Sequence, residues 1–107
     1  MRESQTELKE IVESILSSVP AQEIYLFGSF AKKTQQKSSD YDFYIVIPDN
    51  SGIREREAAW AIRKGLIGKQ KKPMDMIVGT QSKFNRRKNY FYSIEKEIAE
   101  TGVKLHG

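Results

Sequence analysis

Three short apolar runs constrain this chain more than any other feature. Residues 24–27, 40–47 and 74–78 are rich in aromatic, β-branched and long aliphatic side chains, and each is too short for a buried helix. Each is followed by a residue that breaks pairing or turns the backbone: Gly28, Pro48 and Gly79. Helical periodicity fills much of the sequence around them. Leu8, Ile11, Val12, Ile15, Leu16 and Val19 recur at the three-and-four spacing of one helical face. Ser4 and Glu7 have capping-box spacing at its start, and Pro20 stops it. A second helix is expected over residues 53–66, with Ala59, Ile62 and Leu66 turned inward, and a third over residues 94–100, ended by Gly102. Val103 and Leu105 suit a last short strand. Residues 29–33 suit one short helical turn, and residues 34–39, 49–52 and 68–73 suit loops. Helices interleaved with short buried strands predict an α/β (α+β) domain, a small mixed β-sheet packed with helices. Strand order is not readable from this pattern.

At 107 residues the expectation is a single domain, residues 1–107, with one core. The absence of cysteine excludes disulfides and thiolate metal sites. No apolar run approaches the roughly 20 residues that span a bilayer, and no apolar leader opens the chain. A cytoplasmic protein with no membrane association is expected. The net charge of +4 suits a polyanionic small ligand but falls short of the dense basic stripe of a dedicated nucleic-acid binder. Lys64, Lys69, Lys71, Lys72, Lys83, Arg86, Arg87 and Lys88 are accordingly expected on solvated faces. Trp60 is expected to pack, and His106 to lie at the surface near the terminus. Gly68-Lys69 is followed by Gln70, not Ser or Thr, which rules out a P-loop.

The chemistry is concentrated in Gly28-Ser29, ten intervening residues, and Asp40-Tyr41-Asp42. Side chains alternate along a strand, so Asp40 and Asp42 project to one face while Tyr41, Phe43, Ile45 and Ile47 take the other. Two carboxylates so placed repel unless a cation lies between them, and Mg²⁺ prefers such a site, completed by water and phosphate oxygens. Asp75 sits between Met74 and Met76 in the later apolar strand, where a carboxylate is costly to bury without a partner or a metal. Three acids on adjacent strands suit a two-metal site for in-line displacement at phosphorus. A strand ending in Gly28 and turning through Ser29 offers backbone N–H groups and a hydroxyl to an anion. Ser29 equally suits a simple cap of the following turn, a role compatible with phosphate binding.

On these residues the chain resembles the DNA polymerase β-like nucleotidyltransferases. Gly28-Ser29, ten residues, Asp40-Tyr41-Asp42 is similar to that superfamily's signature, and Asp75 to its third carboxylate. The short length and the helix-then-strand ending look most like the bacterial minimal nucleotidyltransferases paired with HEPN-domain proteins in toxin–antitoxin modules. The likeness covers residues 5–106. It implies Asp40, Asp42 and Asp75 as metal ligands and catalytic acids for two Mg²⁺ ions, with Mn²⁺ as a substitute. It implies Gly28, Ser29 and Lys32 as the binding site of ATP or another nucleoside triphosphate. Phe30 stands where many relatives carry Arg, and Lys33 where many carry Gly, which bears on nucleotide affinity more than on the chemistry.

The activity so implied moves AMP from ATP to an acceptor hydroxyl. Few residues lie outside the motifs to build an acceptor site, so the acceptor is expected from elsewhere, and the resemblance implies a tyrosine of a HEPN toxin. A small-molecule enzyme of the aminoglycoside-modifying kind, completed by homo-oligomerisation, is one alternative. A non-catalytic antitoxin that masks its partner by binding is another. A nucleic-acid acceptor is less favoured by the charge.

Overall fold

The computed structural model describes residues 2–28, 41–67 and 74–107, with side chains from Glu7 onward. In chain order the elements are α1 (Arg2–Ser18), β1 (Glu23–Phe27), β2 (Tyr41–Ile47), α2 (Glu55–Gly65), β3 (Met74–Thr80), α3 (Gln81–Arg87), α4 (Ile94–Thr101) and β4 (Val103–His106). The strands form one sheet in the order β3-β2-β1-β4. β1 runs antiparallel to both β2 and β4, while β2 and β3 are parallel. A parallel pair needs a long crossover, and α2 lies within the one joining β2 to β3. The mixed sheet expected from the sequence is therefore present.

Strand alternation sorts the apolar residues onto two faces. Tyr41, Phe43, Ile45 and Ile47 join Ile24 and Leu26 against α1 and α2, which contribute Ile11, Ile15, Ala58 and Ile62. Tyr44 and Val46 face the other way, with Tyr25, toward Phe84 of α3 and Ile98 of α4. Helices thus cover both faces, and β2 between them is buried from Phe43 to Ile47. That is why β2 reads as a continuous apolar run, not an alternating one.

Several expectations change. α1 begins at Arg2, so Ser4 lies inside the helix and is not its cap. Glu7, expected in that capping box, is buried and accepts a hydrogen bond from the Tyr41 hydroxyl at 2.5 Å. Trp60 is 63% exposed, because α2 buries Ala58 and Ile62 and Trp60 falls on the opposite side, 5.0 Å from the Lys64 ammonium. β3 continues through Gly79 to Thr80, with the Tyr44 hydroxyl filling the space that a side chain at Gly79 would need. Gly102 does end α4 as expected, but with extended backbone (φ −72°), where a Cβ would press on the Ile98 carbonyl at 2.6 Å. His106 is half-buried opposite Ile24. α3 was not expected, since its seven residues bury one aromatic, Phe84, and show no period. The predicted turn at residues 29–33 and the loops at 34–39 and 68–73 lie outside the described residues, as do Lys69, Lys71 and Lys72. No described helix is long and apolar enough to cross a membrane.

One ionic contact ties α3 and α4 to the sheet. Glu95 is 3% exposed, accepts from the Tyr44 hydroxyl at 2.9 Å and pairs with the Arg87 guanidinium at 3.0 Å. Arg87 and Lys83 remain partly solvated, as expected, but each is held in an ion pair, Lys83 with Glu55 at 3.2 Å, while Arg86 is exposed. A buried carboxylate is costly unless paired and hydrogen-bonded. Burial pushes the Glu95 carboxyl up, but the Arg87 and Tyr44 hydrogen bonds outweigh it and leave it below the usual glutamate range. Burial, then the Glu95 hydrogen bond, raises the Tyr44 phenol well above its ordinary value.

A depressed folded-state value means that the stabilisation from Glu95 is complete above the unfolded value of about 4.3 and is lost as pH falls through the folded value. Glu95→Gln is therefore expected to be less stable than the parent at pH 7. Its deficit should shrink at about pH 3, where the parent has begun to lose that term. Urea unfolding at the two pH values checks this, and an equal deficit at both refutes it.

Candidate active site

The site is built where β1 ends and β2 and β3 begin. Phe27, the last residue of β1, lies opposite Asp42, and Asp42 lies opposite Asp75 across the parallel β2–β3 pair. Residues in register on neighbouring strands share a face, with the strands about 4.8 Å apart. Asp42 and Asp75 therefore project side by side from the face that carries Tyr44 and Val46. α3 and α4 cover that face at Tyr44 and Val46 but leave its start open: Asp42 is half-buried and Asp75 exposed.

Exposure changes the reason for noticing Asp75. The sequence suggested a carboxylate held in an apolar interior. β3 is instead an edge strand whose Met74 and Met76 pack on the core while Asp75 and Ile77 face outward. Its desolvation is small. What singles it out is its neighbour, a second carboxylate at the same level on the next strand, an arrangement that sets like charges opposite each other.

Gly28 has a clear steric role. Its φ of +78° lies in the left-handed region that side-chain-bearing residues avoid. A Cβ placed on it would run into an oxygen of the Asp42 carboxylate, so that carboxylate lies directly against the glycine backbone. Gly28 at the end of β1 and the Asp42 carboxylate are thus packed as one unit. Of the residues expected to form the site, Gly28, Asp42 and Asp75 meet in this corner, while Ser29, Lys32 and Asp40 lie outside the described residues.

Sequence reasoning missed the support behind the site. Tyr41 points away from the acids into the α1–α2 core, is fully buried, and bonds to Glu7 of α1. That contact holds the start of β2, the stretch from which Asp42 emerges. The signal was present, because Glu7 falls four residues before Ile11 and eight before Ile15, on the buried stripe of α1.

The donor set is hard oxygen. Among the described residues no group of three or more His, Cys, Asp or Glu comes together as a metal cluster, and Asp42 with Asp75 makes a pair. Two adjacent carboxylates beside a backbone with no side chain fit a cation such as Mg²⁺, which takes one or two protein carboxylates and fills its remaining positions with water and phosphate oxygens.

Comparison with known proteins agrees with this geometry. The family model of the nucleotidyltransferase domain matches residues 6–104. No curated protein matches the chain at the sequence level. A protein of Sulfolobus solfataricus assigned as a nucleotidyltransferase superposes with a TM-score of 0.63 at 24% identity, covering 94% of this chain and 77% of its own. A toxin–antitoxin structure with AMP-PNP superposes at 0.68 and 22% identity, covering 92% and 72%. A mutant of the MntA–HpeT toxin–antitoxin, carrying two aspartate-to-glutamate changes two positions apart, superposes at 0.65 and 19% identity, covering 92% and 71%.

The packing of Gly28 on Asp42 predicts a coupled pair. Gly28→Ala is expected to destabilise the protein by about 1–2 kcal/mol from backbone strain alone, with a further penalty from the collision. In an Asp42→Ala background the collision is gone and only the strain remains. Denaturant unfolding of the single and double variants should give a coupling energy of at least about 0.5 kcal/mol. Strict additivity would show that the two residues do not touch.

Proposed function

The chain belongs to the nucleotidyltransferase domain family, and on that premise we propose that it transfers AMP from ATP to a hydroxyl carried by a partner protein, the HEPN-domain toxin of a toxin–antitoxin pair. It is a minimal nucleotidyltransferase domain, and nucleotidyl transfer is the activity of its fold. The observation that carries the finer reading is the in-register pairing of Asp42 with Asp75 on an open sheet face, with Gly28 packed against Asp42. The toxin–antitoxin structures that share the fold, one of them with AMP-PNP, support a nucleotide donor and a protein partner.

In this reading Asp40, Asp42 and Asp75 hold Mg²⁺, which when bound neutralises triphosphate charge and eases loss of the acceptor's proton. The turn at Gly28 and Ser29, with Lys32, holds the phosphates through backbone N–H groups, a hydroxyl and an ammonium. Asp75, the exposed acid on the edge strand, faces the incoming acceptor and takes its proton. The acceptor oxygen forms a bond to the α-phosphorus, the bond from that phosphorus to the β-phosphate oxygen breaks, and pyrophosphate leaves. Holding the hydroxyl in line supplies roughly 7–11 kcal/mol of such a barrier. An exposed Asp75 provides no such clamp, so the partner that brings the hydroxyl also positions it.

Two measurements test this. Intact-mass spectrometry after incubation with ATP, Mg²⁺ and the HEPN-domain partner should show one or more AMP additions on the partner, and far slower labelling of anything by the chain alone. An inhibited but unmodified partner would replace transfer by masking, and efficient adenylylation of an aminoglycoside by the lone chain would replace it by small-molecule chemistry. Separately, Mg²⁺ with a non-hydrolysable ATP analogue at a hundredfold over its dissociation constant should add roughly 2.7 kcal/mol of stability. Asp40→Asn/Asp42→Asn should abolish that gain. Asp75→Asn should keep most of it while transfer falls at least about 100-fold. Near-normal transfer by Asp75→Asn would remove the role assigned to it.

A further inference from the structure

Between α3 and α4 the chain presents Tyr90, Phe91 and Tyr92 to solvent at 48%, 83% and 100% exposure. Three consecutive aromatic residues at a loop tip are a large apolar area to leave in water. Flexibility does not account for them, because the loop is closed from several directions. The Ser93 hydroxyl lies 2.5 Å from the Arg87 carbonyl and 3.2 Å from that of Tyr90, and it caps α4 by accepting from the Lys96 amide at 3.0 Å. The Arg87–Glu95 pair, its carboxylate buried, spans the base. Tyr92 is held at φ +65°, the single non-glycine residue with positive φ among the described residues. Phe91 and Tyr92 rest against each other with centroids 6.0 Å apart. The fold thus sustains a strained backbone to fix an aromatic tip in one outward shape, which is preorganisation for contact.

We propose that this tip is the docking knob for the protein that carries the acceptor hydroxyl. The inference rests on the reading that the acceptor belongs to a protein. α3 and α4 pack on the same sheet face as Asp42 and Asp75, so a partner seated on the tip approaches from the side on which the carboxylates are open. The surrounding charge specifies the partner's surface. Arg86 and Lys88 flank the tip on the α3 side, while Lys96, Glu97 and Glu100 line the depression beside Tyr92 on the α4 side. The complementary surface is an apolar pocket with acids toward the α3 side. A single-stranded nucleic acid would also stack on aromatic rings. Here, though, Lys83, Arg87 and Lys96 are each paired with a glutamate, which leaves Arg86 and Lys88 without the continuous basic track such a ligand needs. The balance favours protein.

The probe is the protein that takes up AMP in the transfer experiment, purified and unlabelled. Phe91→Ser/Tyr92→Ser alters exposed side chains, so melting and Mg²⁺–nucleotide affinity should match the parent, whereas the dissociation constant for the probe should rise at least about 10-fold. KM for the probe in AMP transfer should rise in step. Trp60→Ser, at an exposed aromatic on α2, should leave both unchanged. Probe affinity within twofold of the parent overturns the inference while leaving the transfer reading intact; absence of AMP on any protein removes both. Binding of a fluorescein-labelled oligouridylate that is lost in the double variant would overturn it in favour of nucleic acid. A parent dimer in light scattering that becomes a monomer in the double variant would overturn it in favour of a second copy of the chain.

Discussion

Two carboxylates at the same level of adjacent parallel strands disfavour the sheet that carries them, and much of this fold serves to keep them there. Asp42 and Asp75 gain little from burial and repel across the strand gap. Their positions are fixed from behind. On the far face, Tyr41 is locked into the α1–α2 core and bonded to Glu7, so the start of β2 cannot swing away from β3 to relieve the repulsion. From the side, the turn at Gly28 fits against the Asp42 carboxylate so closely that no side chain is admitted. The acids are placed by apolar packing and backbone geometry, forces insensitive to the charge they hold.

β2 connects that corner to the rest of the molecule. Its odd-numbered residues build one core and its even-numbered residues the other, so each helical layer is keyed to the strand that carries the site. The Tyr44 side chain, two positions along from Asp42, reaches Glu95 and through it Arg87. The order of α3, α4 and the aromatic tip between them is thereby tied to the same strand. A change at Glu95 should be felt first in the α3–α4 layer, while a change at Glu7 should be felt at the start of β2.

How much of this was legible in the sequence follows from where each signal resides. The strands were readable because apolar runs closed by Gly or Pro are local patterns, and the shared face of Tyr41, Phe43, Ile45 and Ile47 follows from alternation alone. The candidate residues were readable as a spaced set, Gly28 through Asp75. Their geometry was not, because register between β2 and β3 depends on packing across the sheet. Asp75 looked interior since its neighbours are methionines, but β3 is an edge strand and α3 and α4 leave the start of its outer face open. α3 escaped notice because a seven-residue helix with one buried side chain shows no period. Glu7 was misassigned because capping-box spacing and the inner stripe of α1 coincide at that residue, and burial decides between them. Trp60 was misassigned by composition, since an aromatic residue is more often packed than exposed.

The charge pattern carries a consequence for binding order. The chain bears +4 overall, while Asp42 and Asp75 set two carboxylates side by side at the corner with Gly28. At long range the net charge attracts a polyanion; within a few ångströms the carboxylates repel it. A divalent cation reverses the local term by neutralising the pair and bridging to phosphate oxygens. If the carboxylates act as we propose, the nucleotide without its cation binds poorly, because nothing then bridges its phosphates to the carboxylates. The cation supplies that bridge, so cation and nucleotide affinities are thermodynamically linked, each raising the other by the same factor. An open face then has a use beyond admitting an acceptor. It lets the cation–nucleotide complex arrive as a unit from solvent, without requiring the acid pair to hold a cation first.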